Sequence, residues 1–221
     1  MIFGILISFF SLLFLGMPIA FAMGTVTSGM LFINNFNLEM MVQRMFAGVN
    51  SFSLLALPLF ILAGNIMGEG GLTRRLIRLA NVIVRKLPGG LAMTSVVTCA
   101  LFGTVSGSTV ATTFAVGSVL VPKMKEQKYS NAFIASVIGP SGVLGLIIPP
   151  SITMVILGIT TNISIGKLFI AGFLPGILLV VLLSIYAGFI SKRKGYGVID
   201  QDKISGKEFF NVCKEAFFPL L

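Results

Sequence analysis

The sequence predicts an all-α integral membrane protein in which transmembrane helices accompany a re-entrant helical hairpin and a broken helix. Three observations carry this reading. Of 221 residues, 56% are apolar and only 10% charged, and the mean hydropathy is +1.01; a soluble domain of this size needs far more charged surface. The basic residues behind the net charge of +9 fall in short clusters between apolar segments. Cytoplasmic loops of an inner-membrane protein look like this, so the charge calls for a lipid bilayer and for no nucleic acid. Finally, two apolar segments concentrate Gly, Ser and Pro in their middles, where an unbroken span would exclude them.

Residues 2–33 are apolar except for the interruption Gly16-Met17-Pro18. As one helix they would run about 48 Å, so they form either one long tilted helix or two short ones. The segment begins without a basic n-region or a small-residue cleavage site and reads as a retained span. Asn34–Asn37 is a turn, and 38–50 reads as an amphipathic helix near an interface. Residues 52–68 are the next span, with Pro58 expected to kink it. Arg74, Arg75, Arg78, Arg85 and Lys86 follow with no acid among them and mark a cytoplasmic loop. Residues 1–90 are thus scaffold and arm helices.

The block 91–122, centred on "FGTVSGSTV", is followed by Lys123, Lys125 and Lys128. Both flanks therefore belong on one side of the membrane, and the block is a re-entrant hairpin turning at Ser106-Gly107-Ser108. Arms of about 15 residues reach roughly 22 Å, short of the ~30 Å hydrocarbon core. Residues 129–161 form the broken helix. Within "IGPSGVLGLIIPPSITM" (138–154), Pro149 and Pro150 bring no N–H to the carbonyls of Gly145 and Leu146. Residues 148 and 149 are pushed toward extended backbone because each precedes a proline. Residues 91–166 together make the transport elements. The polar stretch 160–164 marks the opposite surface, and 168–190 is a full span ending at Lys192, Arg193 and Lys194. A polar loop leads to a capping box at Ser205-Gly206-Lys207-Glu208, which opens an amphipathic helix bearing Phe209, Phe210 and Phe217. Residues 167–221 form this last segment.

The seven acidic residues all lie in loops or interfacial segments, and there is no histidine. Intramembrane proteolysis, proton relays through buried acids and Ser-His chemistry are unsupported, so the chain is read as no enzyme. Cys99 and Cys213 are isolated and read as small hydrophobes. Ser95, Ser118, Ser130 and Ser136 read as packing or back-bonded hydroxyls. An ion held inside the membrane must therefore use neutral oxygens. The hairpin tip offers Ser106, Ser108 and Thr109, and the break offers freed carbonyls. Hard, uncharged oxygens suit Na⁺, and no organic cofactor is implied. Helices starting at Thr109 and after Ser151 present two positive ends, which favour an anion. The competing reading takes the prolines as a packing kink and the small residues as close helix contacts.

The stretches "SFSLLALPLFILAGNIM" (51–67), "FGTVSGSTVATTFAVGSVLVP" (102–122) and "LGLIIPPSITMVILG" (144–158) resemble the large membrane subunit of tripartite ATP-independent periplasmic (TRAP) transporters, and the likeness runs along essentially the whole chain. The resemblance implies one inverted repeat of an elevator-type fold of the wider ion-transporter superfamily, in a bacterial inner membrane. It implies Na⁺-coupled import of an organic acid, such as a C4-dicarboxylate or sialic acid. The partners it implies are a small four-helix membrane subunit and a periplasmic solute-binding protein. Carried over by position, the Na⁺ ligands are Ser106 and Ser108 at the tip, with Gly145, Ile148 and Pro150 through backbone oxygens. Thr109, Ser141 and Ser151 would line the substrate cavity. This chain departs from the family at Ser141-Gly142-Val143, where relatives often carry Ser-Ser-Thr, and near Thr112, where many carry an acid. A complete subunit is about twice as long, so the chain reads as an N-terminal half. The alternatives are a divalent-anion/Na⁺ symporter of the same superfamily that needs no binding protein, and a membrane scaffold without transport.

Overall fold

A computed structural model describes residues 2–50, 52–84 and 89–196. Arg85, Lys86 and the expected capping box at Ser205–Glu208 lie outside the described residues. All regular structure among the described residues is helical, and the chain forms two compact units that meet in sequence at Phe52 and Ser53. That division falls inside the 1–90 segment read as scaffold and arm.

In the first unit the long apolar stretch is two helices, α1 (Ile2–Phe14) and α2 (Ile19–Ile33). The chain breaks between them at Gly16, which takes φ +83°, and Pro18 occupies the cap position before α2. Glycine enters this left-handed region without a Cβ clash, and proline has no N–H to lose at a helix start. The amphipathic helix α3 (Glu39–Val49) follows. It meets α2 where the Ser28 hydroxyl donates to the Gly24 carbonyl (2.8 Å) and lies 3.1 Å from the Met41 sulfur.

A 3₁₀ turn (Phe52–Leu55) spans the boundary and leads into α4 (Ala56–Glu69) of the second unit. Pro58 does not kink a span: it stands in the first turn of α4, where backbone N–H groups have no intrahelical acceptor to lose. The arginine-rich segment is likewise not a loop but a helix, α5 (Leu72–Val84), with Leu72, Thr73, Leu76, Ile77, Ala80 and Val84 buried. These recur at helical spacing, so α5 lays an apolar face on the core and turns Arg74, Arg75 and Arg78 outward.

The hairpin helices α6 (Gly90–Ser106) and α7 (Thr109–Glu126) form the centre of this unit. α5 and α8 (Asn131–Gly142) pack against them. Val96, Cys99, Phe102, Val116, Leu120, Met124, Val137 and Leu144 belong to one continuous core. α8 runs through Val143 into the single turn α9 (Leu144–Ile147), the chain extends through the prolines, and α10 (Ile152–Thr161) resumes. α8–α9 and α10 are bent from each other by 43°, and together they are long and apolar enough to cross a membrane. Among the described residues one further helix, α11 (Ile165–Lys194), passes that test alone. The hydroxyls of Ser95, Ser118 and Ser136 bond back to their own helix, and that of Ser130 caps α8.

An aromatic cluster ties three ends of the unit together. The Tyr129 ring, between α7 and α8, stacks 4.8 Å from Tyr196 beyond α11, and Phe133 on α8 stacks 5.5 Å from Tyr196. The Tyr129 hydroxyl donates to the Gly89 carbonyl before α6 (3.3 Å). Phe133 is nearly fully buried within this cluster. Phe133→Ala leaves a ring-sized void there and is expected to cost about 3 kcal/mol. A thermal unfolding midpoint within error of the parent would show that the cluster does not hold these ends.

Candidate functional site

The hairpin turns in two residues. Gly107 closes α6 with φ +56°, and extended Ser108 opens α7, its hydroxyl accepting the Ala111 N–H at 3.4 Å. A side chain at residue 107 would be disfavoured twice, by that φ and by space: a Cβ would stand 2.6 Å from the Phe60 ring and 3.2 Å from the Pro150 carbonyl oxygen. The tip is therefore pressed directly against the proline break. One backbone bond joins them, from the Ile152 N–H to the Gly107 carbonyl (3.3 Å).

At the break, Ile148 is extended (φ −79°, ψ 123°), and Pro149-Pro150 is a cis peptide. The prolines leave the Gly145 and Leu146 carbonyls without the donors a continuous helix would supply. Gly145 sits back to back with Gly103 of α6: a Cβ on Gly103 would lie 2.7 Å from the Gly145 Cα. A Cβ on Gly145 would lie 2.6 Å from Thr112 Oγ1 and 3.0 Å from the Ser108 carbonyl oxygen. On its far side the break rests on α11. There a Cβ on Gly172 would lie 2.7 Å from the Ile147 carbonyl oxygen, and one on Gly176 the same distance from Ile148 Cγ1.

Ser106, Ser108, Gly145 and Pro150 thus meet at one point. Ser106 is buried, and its hydroxyl lies 2.7 Å from Thr112 Oγ1 and 3.3 Å from the Ser108 carbonyl oxygen. It also accepts the Ser108 N–H at 3.4 Å. Ile148 lies on the link beside them, with its side chain turned toward α11. The expected cavity residues are more scattered. The Thr109 carbonyl accepts the Thr113 hydroxyl (2.8 Å). Ser141 is fully buried and donates to the Val137 carbonyl of its own helix (2.6 Å). Ser151 occupies the cap position of α10 but makes no capping bond; its hydroxyl is buried with no partner among the described residues.

A cleft of about 490 Å³ opens between the tip and α4, and Ser106, Ser108, Ala111 and Ile152 line it. From α4 it receives Ile61, Gly64, Asn65 and Gly68, one helical face at i, i+3, i+4 and i+7. The first residues of α7 and α10 lie near this cleft, so two helix N-termini place their partial positive charge beside it. Two residues here escape a motif-based reading. Thr112, the buried partner of Ser106, stands one turn after Ser108, and that i, i+4 spacing is the signal that places it. Asn65 is visible only once α4 is known to face the tip.

The donor set fits a small hard cation: a buried hydroxyl pair beside carbonyls that the prolines leave without their helical donors, and no cluster of three or more His, Cys, Asp or Glu among the described residues. Close backbone contact is what assembles it. Gly145→Ala is accordingly expected to lower the thermal midpoint, because its Cβ meets Thr112 and a backbone carbonyl. Gly139→Ala on α8 faces open space and should leave the midpoint unchanged or raised. Equal midpoints for the two variants would contradict the packing of tip on break.

Comparison with known proteins bears on what this site serves. Residues 6–221 match the family described as "Tripartite ATP-independent periplasmic transporter, DctM component". The chain is 35% identical over 219 residues to the sialic acid TRAP transporter large permease protein of Vibrio cholerae, covering 99% of this chain and 51% of that protein. It is 40% identical over 212 residues to the ectoine TRAP transporter large permease protein of Halomonas elongata, covering 95% and 49%. It is 36% identical over 235 residues to the C4-dicarboxylate TRAP transporter large permease protein of Rhodobacter capsulatus, covering 100% and 52%. The chain therefore spans about half the length of these relatives, and it belongs to the DctM component family of tripartite ATP-independent periplasmic transporters.

Proposed function

We propose that the chain supplies one half of the permease pathway of a Na⁺-coupled organic-acid importer in a bacterial inner membrane. The observation that carries this is the docking of the hairpin tip on the proline break, with neutral oxygens facing one another there. In this reading the hairpin is re-entrant and reaches mid-membrane from the side carrying the basic clusters. Ser106 offers its hydroxyl, and Gly145, Ile148 and Pro150 offer backbone oxygens, to Na⁺; Ser108 contributes at the tip. Na⁺, when bound, supplies the positive charge that the uncharged site lacks. The N-termini of α7 and α10 then favour a carboxylate beside it, with Thr109, Ser141 and Ser151 on the substrate side.

The function of each residue follows from its chemistry. Pro149 and Pro150 hold the carbonyls open by withholding N–H donors. Gly103, Gly107 and Gly145 let backbone meet backbone, so that a site can be made of carbonyls at all. Thr112 orients the Ser106 hydroxyl. The substrates for which the relatives are named (sialic acid, ectoine, C4-dicarboxylate) span several chemistries, which agrees with selection by a separate periplasmic solute-binding protein. A small membrane subunit is the second partner, and an elevator-type movement of 91–166 against the remaining helices is the proposed mechanism.

The test uses the complete transporter in proteoliposomes. Ser106→Ala, which removes one oxygen contact, is expected to raise the Na⁺ concentration for half-maximal uptake by about tenfold, and Pro150→Ala, which returns an N–H donor to the break, is expected to raise it as well. An unchanged Na⁺ dependence in both variants would refute the site assignment.

A further inference from the structure

Residues 56–68 of α4 are apolar except at Asn65, whose carboxamide is the one hydrogen-bonding side chain in that run. At membrane depth a polar side chain is costly unless it meets a partner or faces a polar pathway. Among the described residues the Asn65 carboxamide makes no hydrogen bond. It lines the cleft between α4 and the hairpin tip instead. The glycines beside it set its level. A Cβ on Gly64 would lie 3.6 Å from the Ser106 Cα and from the Val105 carbonyl oxygen, and one on Gly68 would lie 4.0 Å from Phe102 Cζ. Asn65, one residue on from Gly64, therefore stands on the cleft at the height of Ser106.

The two walls of the cleft differ in what they offer. On the tip side the Ser106 hydroxyl is engaged with Thr112 and the Ser108 backbone, and the Ser108 hydroxyl accepts the Ala111 N–H. The N-termini of α7 and α10 put partial positive charge on that side. No charged side chain is among the lining residues. The α4 wall carries a single polar group, the carboxamide, with two N–H donors and an oxygen acceptor all unused. A volume of about 490 Å³ admits a small acid that reaches both walls. An alkyl end turned toward α4 would strip water from the carboxamide and leave it unpaired, so such a molecule is disfavoured against one that ends in an oxygen.

Resting on the organic-acid reading above, we infer that Asn65 is a substrate-recognition residue. Its carboxamide N–H groups donate to a second oxygen-bearing group of an acid whose anionic group is held on the tip side. The substrate class is accordingly an acid with a further oxygen acceptor, such as a second carboxylate, a hydroxyl or an amide carbonyl. A plain alkyl monocarboxylate is rejected.

The experiment follows thermal unfolding of the complete membrane complex in detergent, without a binding protein, so that the permease's own selection is read. The midpoint is titrated with Na⁺ alone and then, at high Na⁺, with succinate, N-acetylneuraminate, isethionate or butyrate. At least one of the first three is expected to raise the parent's midpoint, and butyrate is not. Asn65→Leu, close in volume, should raise the half-effect concentration of that acid about tenfold while leaving that of Na⁺ within about twofold. Asn65→Asp, which puts an acceptor and a negative charge where donors stood, should raise it further. A parent that responds to none of the three acids, or equally to butyrate, overturns the substrate class. An acid titration unchanged in Asn65→Leu, or kept at parental strength in Asn65→Asp, overturns the role of the carboxamide. A parent midpoint that Na⁺ alone does not move contradicts the Na⁺ reading instead, and the acid titrations still decide on Asn65. If Asn65→Leu does not fold, Asn65→Ser, which lacks the reach of the carboxamide, replaces it with the same two outcomes.

Discussion

The described part of the second unit is organised around the backbone left unpaired at Pro149-Pro150. Two missing N–H groups free two carbonyls, and polar backbone in an apolar setting is tolerable only where protein, water or an ion satisfies it. The rest of the unit meets that requirement from two sides. The hairpin tip arrives through Gly103 and Gly107, and α11 arrives through Gly172 and Gly176. Small residues appear on both approaches because any Cβ there would meet backbone or the flank of Ile148. The break is therefore covered by close backbone contact, while the Gly145 and Leu146 carbonyls lack the N–H donors that a continuous helix would give them.

The same constraint explains how the helices are deployed. Interrupting α8–α9 before α10 creates a helix N-terminus, and turning the hairpin at Gly107 creates a second one. Each carries roughly half a positive charge at its first turn. Because the Ile152 N–H is bonded to the Gly107 carbonyl, these two ends are fixed beside one another. The aromatic cluster of Tyr129, Phe133 and Tyr196 holds the far ends of the same helices, so the tip and the break are braced at both extremities.

Much of this arrangement is legible in the sequence, for identifiable reasons. The turn at Gly107 can be placed because basic clusters on both flanks of 91–122 demand an even number of crossings, and glycine flanked by serines marks where the chain reverses. The break is legible because proline chemistry is local. What escapes is whatever depends on tertiary facing. Pro58 suggests a kink until the start of α4 is known, since its effect depends on distance from the helix end. The arginines of α5 suggest a loop when read for charge, although Leu72, Leu76, Ala80 and Val84 keep helical spacing between them. Ser151 stands where a cap residue belongs, yet its hydroxyl makes no cap bond, because residue type sets the position but not the rotamer. Asn65 becomes visible only when α4 is seen to face the tip, whereas Thr112 carries a signal in its i, i+4 spacing from Ser108.

Family membership fixes the setting in which these residues act, and the tip-on-break contact is where the proposed coupling resides. The most direct measurement is a cryo-electron microscopy map of the complete transporter in sodium and again with choline in its place. A peak between the Ser106 hydroxyl and the Gly145 carbonyl, present in sodium and lost in choline, is the expected result. The same packed, empty contact in both maps would contradict the account.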